Sequence, residues 1–287
     1  MQILDKVYEE RIGYARGSLW APFHAVGMVA RIQGDVSPER LQAALRKLQM
    51  LYPPLASRIR LNEDGSADLT SVGVEECSLW VGPMTASDDW AKLFLEQERI
   101  PCAFDRGPIG RFFLLRGQHT SDLMVLAPHV ICDGYAMTHV LTDAIALLND
   151  PEQTVVPALP SPAITWLSAS HSPADHLLLR GAIQVINRLW PKKLGSLDQK
   201  SYEQVHHIYW AARQNNLLAF ELSTTETADL LARCRQHGVT VNSALVVAFL
   251  RALAEVRSPG QPPICDITVA VNIRNRLIQP PGRVLGI

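Results

Sequence analysis

Cysteine is scarce in this sequence of 287 residues, and its pattern excludes two kinds of stabilisation. The five cysteines are scattered, odd in number, and never form a C-x-x-C pair. A disulfide framework and a structural zinc site are therefore not expected, and a reducing cytoplasm fits this usage best. The residues are Cys77, Cys102, Cys132, Cys234 and Cys265.

Excess charge and long apolar runs are also lacking. The net charge of -1 gives no electrostatic reason to expect nucleic acid or an acidic membrane surface as a partner. The N-terminus lacks the basic start and apolar core of a signal peptide. The most apolar stretch, residues 241–256, contains Arg251 and Glu255 and is too short to span a bilayer. We therefore expect a soluble, cytoplasmic protein with no membrane span.

Several common catalytic and binding signatures are missing from the sequence. It has no G-x-S-x-G nucleophile elbow and no glycine-rich nucleotide-binding motif. His206 and His207 are adjacent, but no carboxylate and histidine set accompanies them, and neighbouring strand residues point to opposite faces. We interpret both as surface residues and predict no metal. Cys132 is interpreted as a small core residue, and the basic residues of 187–193 as a solvated helix end.

Both halves of the sequence mix strand-like and helix-like segments. Residues 25–32 predict a strand, and Ser37 is placed to cap a helix that ends before Pro53. Apolar runs at 112–115 and 123–127 then predict neighbouring strands of a buried sheet. The helix that follows them has Met137, Leu141, Ala144 and Leu148 on one face.

A proline-rich segment separates the two halves. We expect a first subdomain over 1–150, a crossover over 151–215 with a helix at 175–189, and part of a second subdomain over 216–287. The second half is predicted to begin with a strand at 217–222. Two helices should follow. The first starts at a capping box and ends at Gly238, and the second, 242–256, is apolar on nearly every face and should be buried.

One strand-to-helix turn carries the chemistry. A buried strand ends near Pro128 and a helix begins just after Asp133, so the sheet holds the backbone of His129 while its side chain reaches a cleft. A free imidazole has a pKa of about 6.5, so its proton-accepting form dominates near pH 7 and suits a general base. From these residues alone a structural interpretation is the commoner one. His129 would then be a satisfied structural residue, Asp133 an N-cap, and Gly134 relief of crowding.

The spacing His129-x-x-x-Asp133-Gly134 resembles the H-x-x-x-D-G signature of the chloramphenicol-acetyltransferase-like superfamily. That group includes plant-type alcohol acyltransferases, polyketide-associated acyltransferases and the condensation domains of nonribosomal peptide synthetases. Four further segments resemble the family's motifs, in the family's order, so the resemblance covers about residues 20 to 287. They are 41–59 (first helix and P-x-L-x-x-R), 104–111 (F-D-x-x-x-G-P-L-x-R, shortened by two positions), 240–245 (T-x-N-x-x-L) and 271–276 (V-N-x-R-x-R).

The resemblance implies both a fold and a reaction. It implies two sandwich-like α/β halves around a substrate tunnel, with His129 as catalytic base. Asp133 matches an aspartate that is structural and pairs with the arginine of the V-N-x-R strand, here Arg274. Gly134 is expected to give the substrate room beside the histidine. The acyl donor would be acyl-CoA or an acyl-phosphopantetheine, the acceptor a small alcohol or amine, and no cofactor would be permanently bound.

Two departures from the family pattern leave three functions open. Pro128 takes the place of the first histidine of condensation domains, which favours a free-standing enzyme that uses coenzyme A. The family's D-F-G-W-G or similar motif is missing, so we expect an incomplete second half that a partner chain could complete. The open functions are an acyl-CoA-dependent transferase, a condensation-type enzyme fed by a carrier protein, and a non-catalytic member that binds a ligand or a partner chain.

Overall fold

The computed structural model describes residues 7–12, 25–63, 66–156 and 198–257, together with Val269 and Leu285. The chain divides into two compact units, Met1–Asn215 with Asn272–Ile287 and Asn216–Val271. The helix predicted at 175–189, the basic residues of 187–193 and the strand preceding Arg274 lie outside the described residues.

The described part of the first unit mixes strands and helices, as the sequence predicts. The helices and strands predicted in the first half of the sequence begin and end within a few residues of those observed. The elements in chain order are β1 (Glu9–Ile12), β2 (Ala25–Gln33), α1 (Pro38–Leu51), a short 3-10 helix (Pro53–Ala56), β3 (Arg58–Leu61), β4 (Ala67–Thr70), β5 (Leu79–Pro83), α2 (Asp89–Gln97), β6 (Arg111–Arg116), β7 (Thr120–Pro128), α3 (Gly134–Asn149) and α4 (Gln199–Ala211).

The larger sheet has four strands in the order β2-β7-β6-β5. The pairs β2–β7 and β7–β6 are antiparallel, whereas β5 runs parallel to β6. Both faces of β6 and β7 are buried, which explains why these strands are continuous apolar runs and not alternating ones. One face carries Phe112 and Val125 in the main core, and the other carries Phe113 and Met124 in a second cluster.

Helices cover the two faces of this sheet. Helices α1 and α3 pack on the main core through apolar side chains at helical spacing, and Ser37 caps α1 by accepting a hydrogen bond from the Arg40 nitrogen at 3.3 Å. Helix α2 covers the opposite face, where Leu93 is buried. A separate antiparallel sheet has the order β1-β4-β3.

The described residues of the second unit form two helices, α5 (Thr224–Gln236) and α6 (Val241–Val256). The predicted capping box is confirmed, since Ser223 and Glu226 each accept a hydrogen bond from the other's backbone nitrogen. Gly238, which follows α5, has a φ of 63°, a left-handed conformation that glycine adopts without strain.

Two predictions for this unit are wrong. Residues 217–222 form no strand, because no neighbouring strand among the described residues pairs with them. None of the described side chains of α6 is buried, and Phe249 is 56% exposed. Apolar residues on nearly every face do not by themselves bury a helix, because burial needs a partner surface, so the sequence pattern overestimated the burial of α6.

The helices that the structure describes are short for a membrane span. Among the described residues no single helix is long and apolar enough to cross a bilayer. Helices α5 and α6 meet that criterion only when they are joined as a pair bent by 101°.

Candidate active site

His129 lies in the tight turn that joins β7 to α3, as the sequence predicts. The Ile131 nitrogen donates a hydrogen bond to the Pro128 carbonyl oxygen at 3.1 Å, which closes the turn. Ile131 and Cys132 are fully buried, whereas His129 is only half-buried. The turn is therefore anchored by apolar side chains on both sides of an accessible imidazole. The interpretation of Cys132 as a core residue is confirmed.

Asp133 caps the helix that follows the histidine. Its Oδ1 accepts a hydrogen bond from the Ala136 nitrogen at 2.8 Å, and its backbone carbonyl accepts one from the Met137 nitrogen. This contact satisfies a backbone donor that the first helical turn leaves without an intrahelical partner. Arg274 lies outside the described residues, so its pairing with Asp133 stays a prediction.

Gly134, the first residue of α3, leaves open space beside the turn. A Cβ atom built on it would meet no described heavy atom within 4 Å. Relief of crowding is therefore not what this glycine provides. The half-buried ring of His139 packs edge-on against exposed Tyr135, with 4.8 Å between ring centroids. One helical turn of α3 thus presents polar and aromatic groups close in sequence to His129.

The sheet brings Arg111 to the same end as His129, which sequence reasoning did not anticipate. Arg111 begins β6, and its Cα is paired with that of Leu126, three residues before His129 on β7. Paired residues of antiparallel strands project from the same face, so Arg111 lies on the α2 face of the sheet. Its Nη1 donates a 3.4 Å hydrogen bond to Gln97 Oε1 at the end of α2. Burial lowers the pKa of the guanidinium.

Helix α4 packs against the segment that precedes β6. The side-chain amide of Gln199 accepts a hydrogen bond from the Phe104 nitrogen at 3.0 Å and donates one to the Cys102 carbonyl at 2.9 Å. Tyr202 stacks edge-on against the Phe104 ring, with 4.8 Å between centroids. The F-D-R-G-P-I-G-R element that contains Phe104 is therefore held by a helix that lies nearly 100 residues further along the chain.

The interpretation of His206 and His207 is corrected by this helix. Both lie on α4 and not on a strand, and His206 is only 3% exposed. Its Nε2 lies 3.3 Å from the Glu98 carbonyl oxygen, and burial lowers the pKa of its imidazole. The spacing of Tyr202, His206 and Trp210 at every fourth residue is the signal that indicates a helix with one buried face.

Metal ligands do not gather at this turn. Within the ranges that the structure describes, no group of three or more histidine, cysteine, aspartate or glutamate side chains could hold a metal ion. The four described cysteines are buried and make no disulfide.

The second part of the chain is similar to a known protein family. Residues 213–284 match the family model described as phthiocerol/phthiodiolone dimycocerosyl transferase C-terminus. That segment is therefore similar to the C-terminal part of this family. No curated protein matches the sequence at a significant level.

Solved structures extend the comparison to the fold of the whole chain. Polyketide synthase associated protein 5 from Mycobacterium tuberculosis matches 96% of this chain with a TM-score of 0.54 and 16% sequence identity. The chain therefore shares the mixed α/β fold of that protein over most of its length. This likeness of fold and the match at residues 213–284 agree with the resemblance found in the sequence.

Two further structures align over a smaller part of the chain. SgcC5 from Streptomyces globisporus matches 54% of it, at 20% identity and a TM-score of 0.44. A variant of the starter condensation domain of rhizomide synthetase RzmA, in complex with C8-CoA, matches 53% of it, at 18% identity and a TM-score of 0.43. The aligned chain spans 39% of SgcC5, 38% of the condensation domain and 63% of the mycobacterial protein.

Proposed function

We propose that this protein is an acyltransferase that moves an acyl group from a thioester to an alcohol or amine, with His129 as general base. The observation that carries the proposal is the position of His129, half-buried in a turn anchored between a buried strand and a capped helix. The shared fold and the family segment at 213–284 support the same class of reaction.

The reaction needs one imidazole and no metal. The neutral imidazole of His129 accepts the proton of the acceptor's hydroxyl or amine as its oxygen or nitrogen attacks the thioester carbonyl. A tetrahedral oxyanion forms and collapses, the carbon–sulfur bond breaks, and the thiolate takes the proton back from the imidazolium. The products are an ester or amide and a free thiol, so atoms and charge balance without a resident cofactor.

The neighbouring residues have supporting roles in this proposal. Asp133 holds the first turn of α3, and the open space at Gly134 leaves room for substrate beside the imidazole. We further propose that Asp133 pairs with Arg274. The donor would be acyl-CoA, because Pro128 occupies the position where condensation domains carry a first histidine. A carrier protein's phosphopantetheine arm is the alternative donor.

The test measures thiol release from a panel of acyl-CoA donors with mixed alcohol and amine acceptors. Wild type is compared with His129→Ala and with His119→Ala. His119 is an exposed histidine in the turn between β6 and β7, so it controls for histidine loss. Removal of a general base costs about 10²- to 10⁴-fold in rate. We expect acceptor-dependent release that falls by that factor only in His129→Ala, with unchanged thermal unfolding.

The other outcomes separate the alternatives. Equal release by wild type and folded His129→Ala would remove His129 from the mechanism. Release only from acyl groups on a carrier protein would establish the condensation-type reaction. Binding of acyl-CoA without release, and without release from a carrier, would support the non-catalytic function.

A further inference from the structure

Arg111 is a half-buried cation at the end of the sheet where His129 lies. It begins β6, next to the strand that ends at Pro128. Its register partner Leu126 and Pro128 are two residues apart on β7, so all three project from the same face of the sheet. His129 follows Pro128 directly. Arg111 is therefore placed beside the proposed catalytic turn, although it is 18 residues away in sequence.

No counter-charge among the described residues balances this guanidinium. Its hydrogen bond to Gln97 Oε1 is long and goes to a neutral amide. The carboxylate of Glu98, which follows Gln97 in sequence, accepts hydrogen bonds from Asn215 instead. By contrast Arg116, at the other end of the same strand, forms an ion pair with Asp35 at 2.5 Å. A guanidinium has five donors in a fixed fork that suits a carboxylate or phosphate. Among the described residues, Gln97 is the hydrogen-bond acceptor given for the Arg111 side chain, so most of its donors have no partner there.

The titratable groups around Arg111 are held in their neutral forms. Burial raises the pKa of Cys102 and of Tyr202 to about 12, so neither supplies a negative charge near neutral pH. Burial also lowers the pKa of the His206 imidazole. The surroundings of Arg111 therefore favour a ligand that brings its own negative charge.

We propose that Arg111 recognises an oxyanion, a carboxylate or a phosphate, on a ligand that binds at the His129 end of the sheet. The proposal for Arg111 rests on the proposed function in one respect, namely that the ligand is a substrate of acyl transfer. Anion binding itself does not require turnover. Arg111 would therefore be a specificity-determining residue that selects an acidic substrate or orients the phosphates of the donor.

The test follows the arginine Nε–Hε signals of the full-length chain by NMR. The Arg111 signal is assigned by its loss in Arg111→Lys, and the Arg116 signal by its loss in Arg116→Lys. Inorganic phosphate and butyrate are titrated separately at constant ionic strength. We expect one of them to shift the Arg111 signal with saturation, and the Arg116 signal to remain in place. The same anion should raise the melting temperature of wild type and of Arg116→Gln but not of Arg111→Gln.

The result identifies the source of the charge. Saturation by phosphate indicates the donor's phosphates, and saturation by butyrate indicates a carboxylate on the acyl group or acceptor. No shift, or a linear shift shared by Arg111 and Arg116, would overturn the proposal. His129→Ala should bind the anion as wild type does, so a failure of the proposed catalysis would leave this result intact.

Discussion

Asp133 Oδ1 accepts a hydrogen bond from the Ala136 backbone at 2.8 Å, and this contact fixes where α3 begins. Because His129 lies only four residues earlier, the cap also limits how the turn that contains His129 can move. The aspartate of the H-x-x-x-D-G spacing therefore has a structural task that is visible without its predicted partner, Arg274.

Substitution of Asp133 should separate the cap from the charge. Asp133→Ala loses the cap and should lower the free energy of unfolding by about 1 kcal/mol. Asp133→Asn keeps a side-chain oxygen that can accept from Ala136, so it loses only the charge. If Arg274 pairs with Asp133, both variants should lose more, about 3–5 kcal/mol, because one side of a desolvated pair is removed. Chemical denaturation measures the free energy of unfolding of both variants. If Asp133→Asn is as stable as wild type, the ion pair between Asp133 and Arg274 is excluded.

Gly134→Ala tests the space beside His129 without damage to the fold. An added Cβ meets no described atom, and alanine is better than glycine in a helix. The free energy of unfolding should be unchanged or up to about 1 kcal/mol higher, whereas kcat/KM for bulky acyl donors should fall. Thermal unfolding measures the predicted change in stability, and thiol release measures the predicted change in kcat/KM. Full activity with every donor would show that the substrate does not use this space.

His206 should make the stability of the first unit depend on pH. Burial lowers the pKa of His206 from its ordinary value of 6.5, so the folded chain favours the neutral imidazole. The unfolded chain then binds more protons, and stability present above pH 6.5 is lost as the pH falls below it. Glu98, whose pKa is raised by burial, contributes in the opposite direction.

The difference between two variants isolates the His206 contribution. Urea unfolding from pH 7.5 to pH 5 should give a smaller loss of stability in His206→Gln than in wild type. His207→Gln, an exposed neighbour on the same helix, should follow wild type. Parallel profiles for wild type and His206→Gln would contradict the prediction.

Gln199→Ala should loosen the contact between α4 and the segment before β6. The substitution removes the acceptor for the Phe104 nitrogen and the donor to the Cys102 carbonyl, each worth about 1 kcal/mol. We expect the free energy of unfolding to fall by about 2 kcal/mol. Lys200→Ala is the matched control, since Lys200 is exposed. Equal unfolding midpoints for the two variants would show that the amide contacts add nothing to stability.

The sequence predicted the elements around His129 because their signals are local. Ser37, Asp133 and the capping box at Ser223 each act on a backbone group within three residues, so spacing alone reveals them. The continuous apolar runs of β6 and β7 likewise indicated a sheet buried on both faces. The position of His129 in the turn followed from these elements.

Predictions failed where the outcome depends on contacts distant in sequence. Residues 217–222 have strand composition but no neighbouring strand among the described residues, and α6 is apolar on nearly every face but has no buried side chain among those described. The placement of Arg111 beside Leu126 depends on strand register, and the burial of His206 depends on its contact with Glu98, 108 residues earlier. The periodicity of a single sequence reveals neither the register that pairs Arg111 with Leu126 nor the contact between His206 and Glu98.

The face that α4 presents to Phe104 and Glu98 restricts how related sequences can diverge. Gln199, Tyr202, His206 and Trp210 meet their partners only because they share one side of a continuous helix. Each inserted or deleted residue turns everything after it by about 100°. A single-residue insertion after Tyr202 would therefore point His206 and Trp210 away from their contacts at once. Point substitutions on the outer side of the helix should accumulate freely during evolution, while changes in its length should be eliminated.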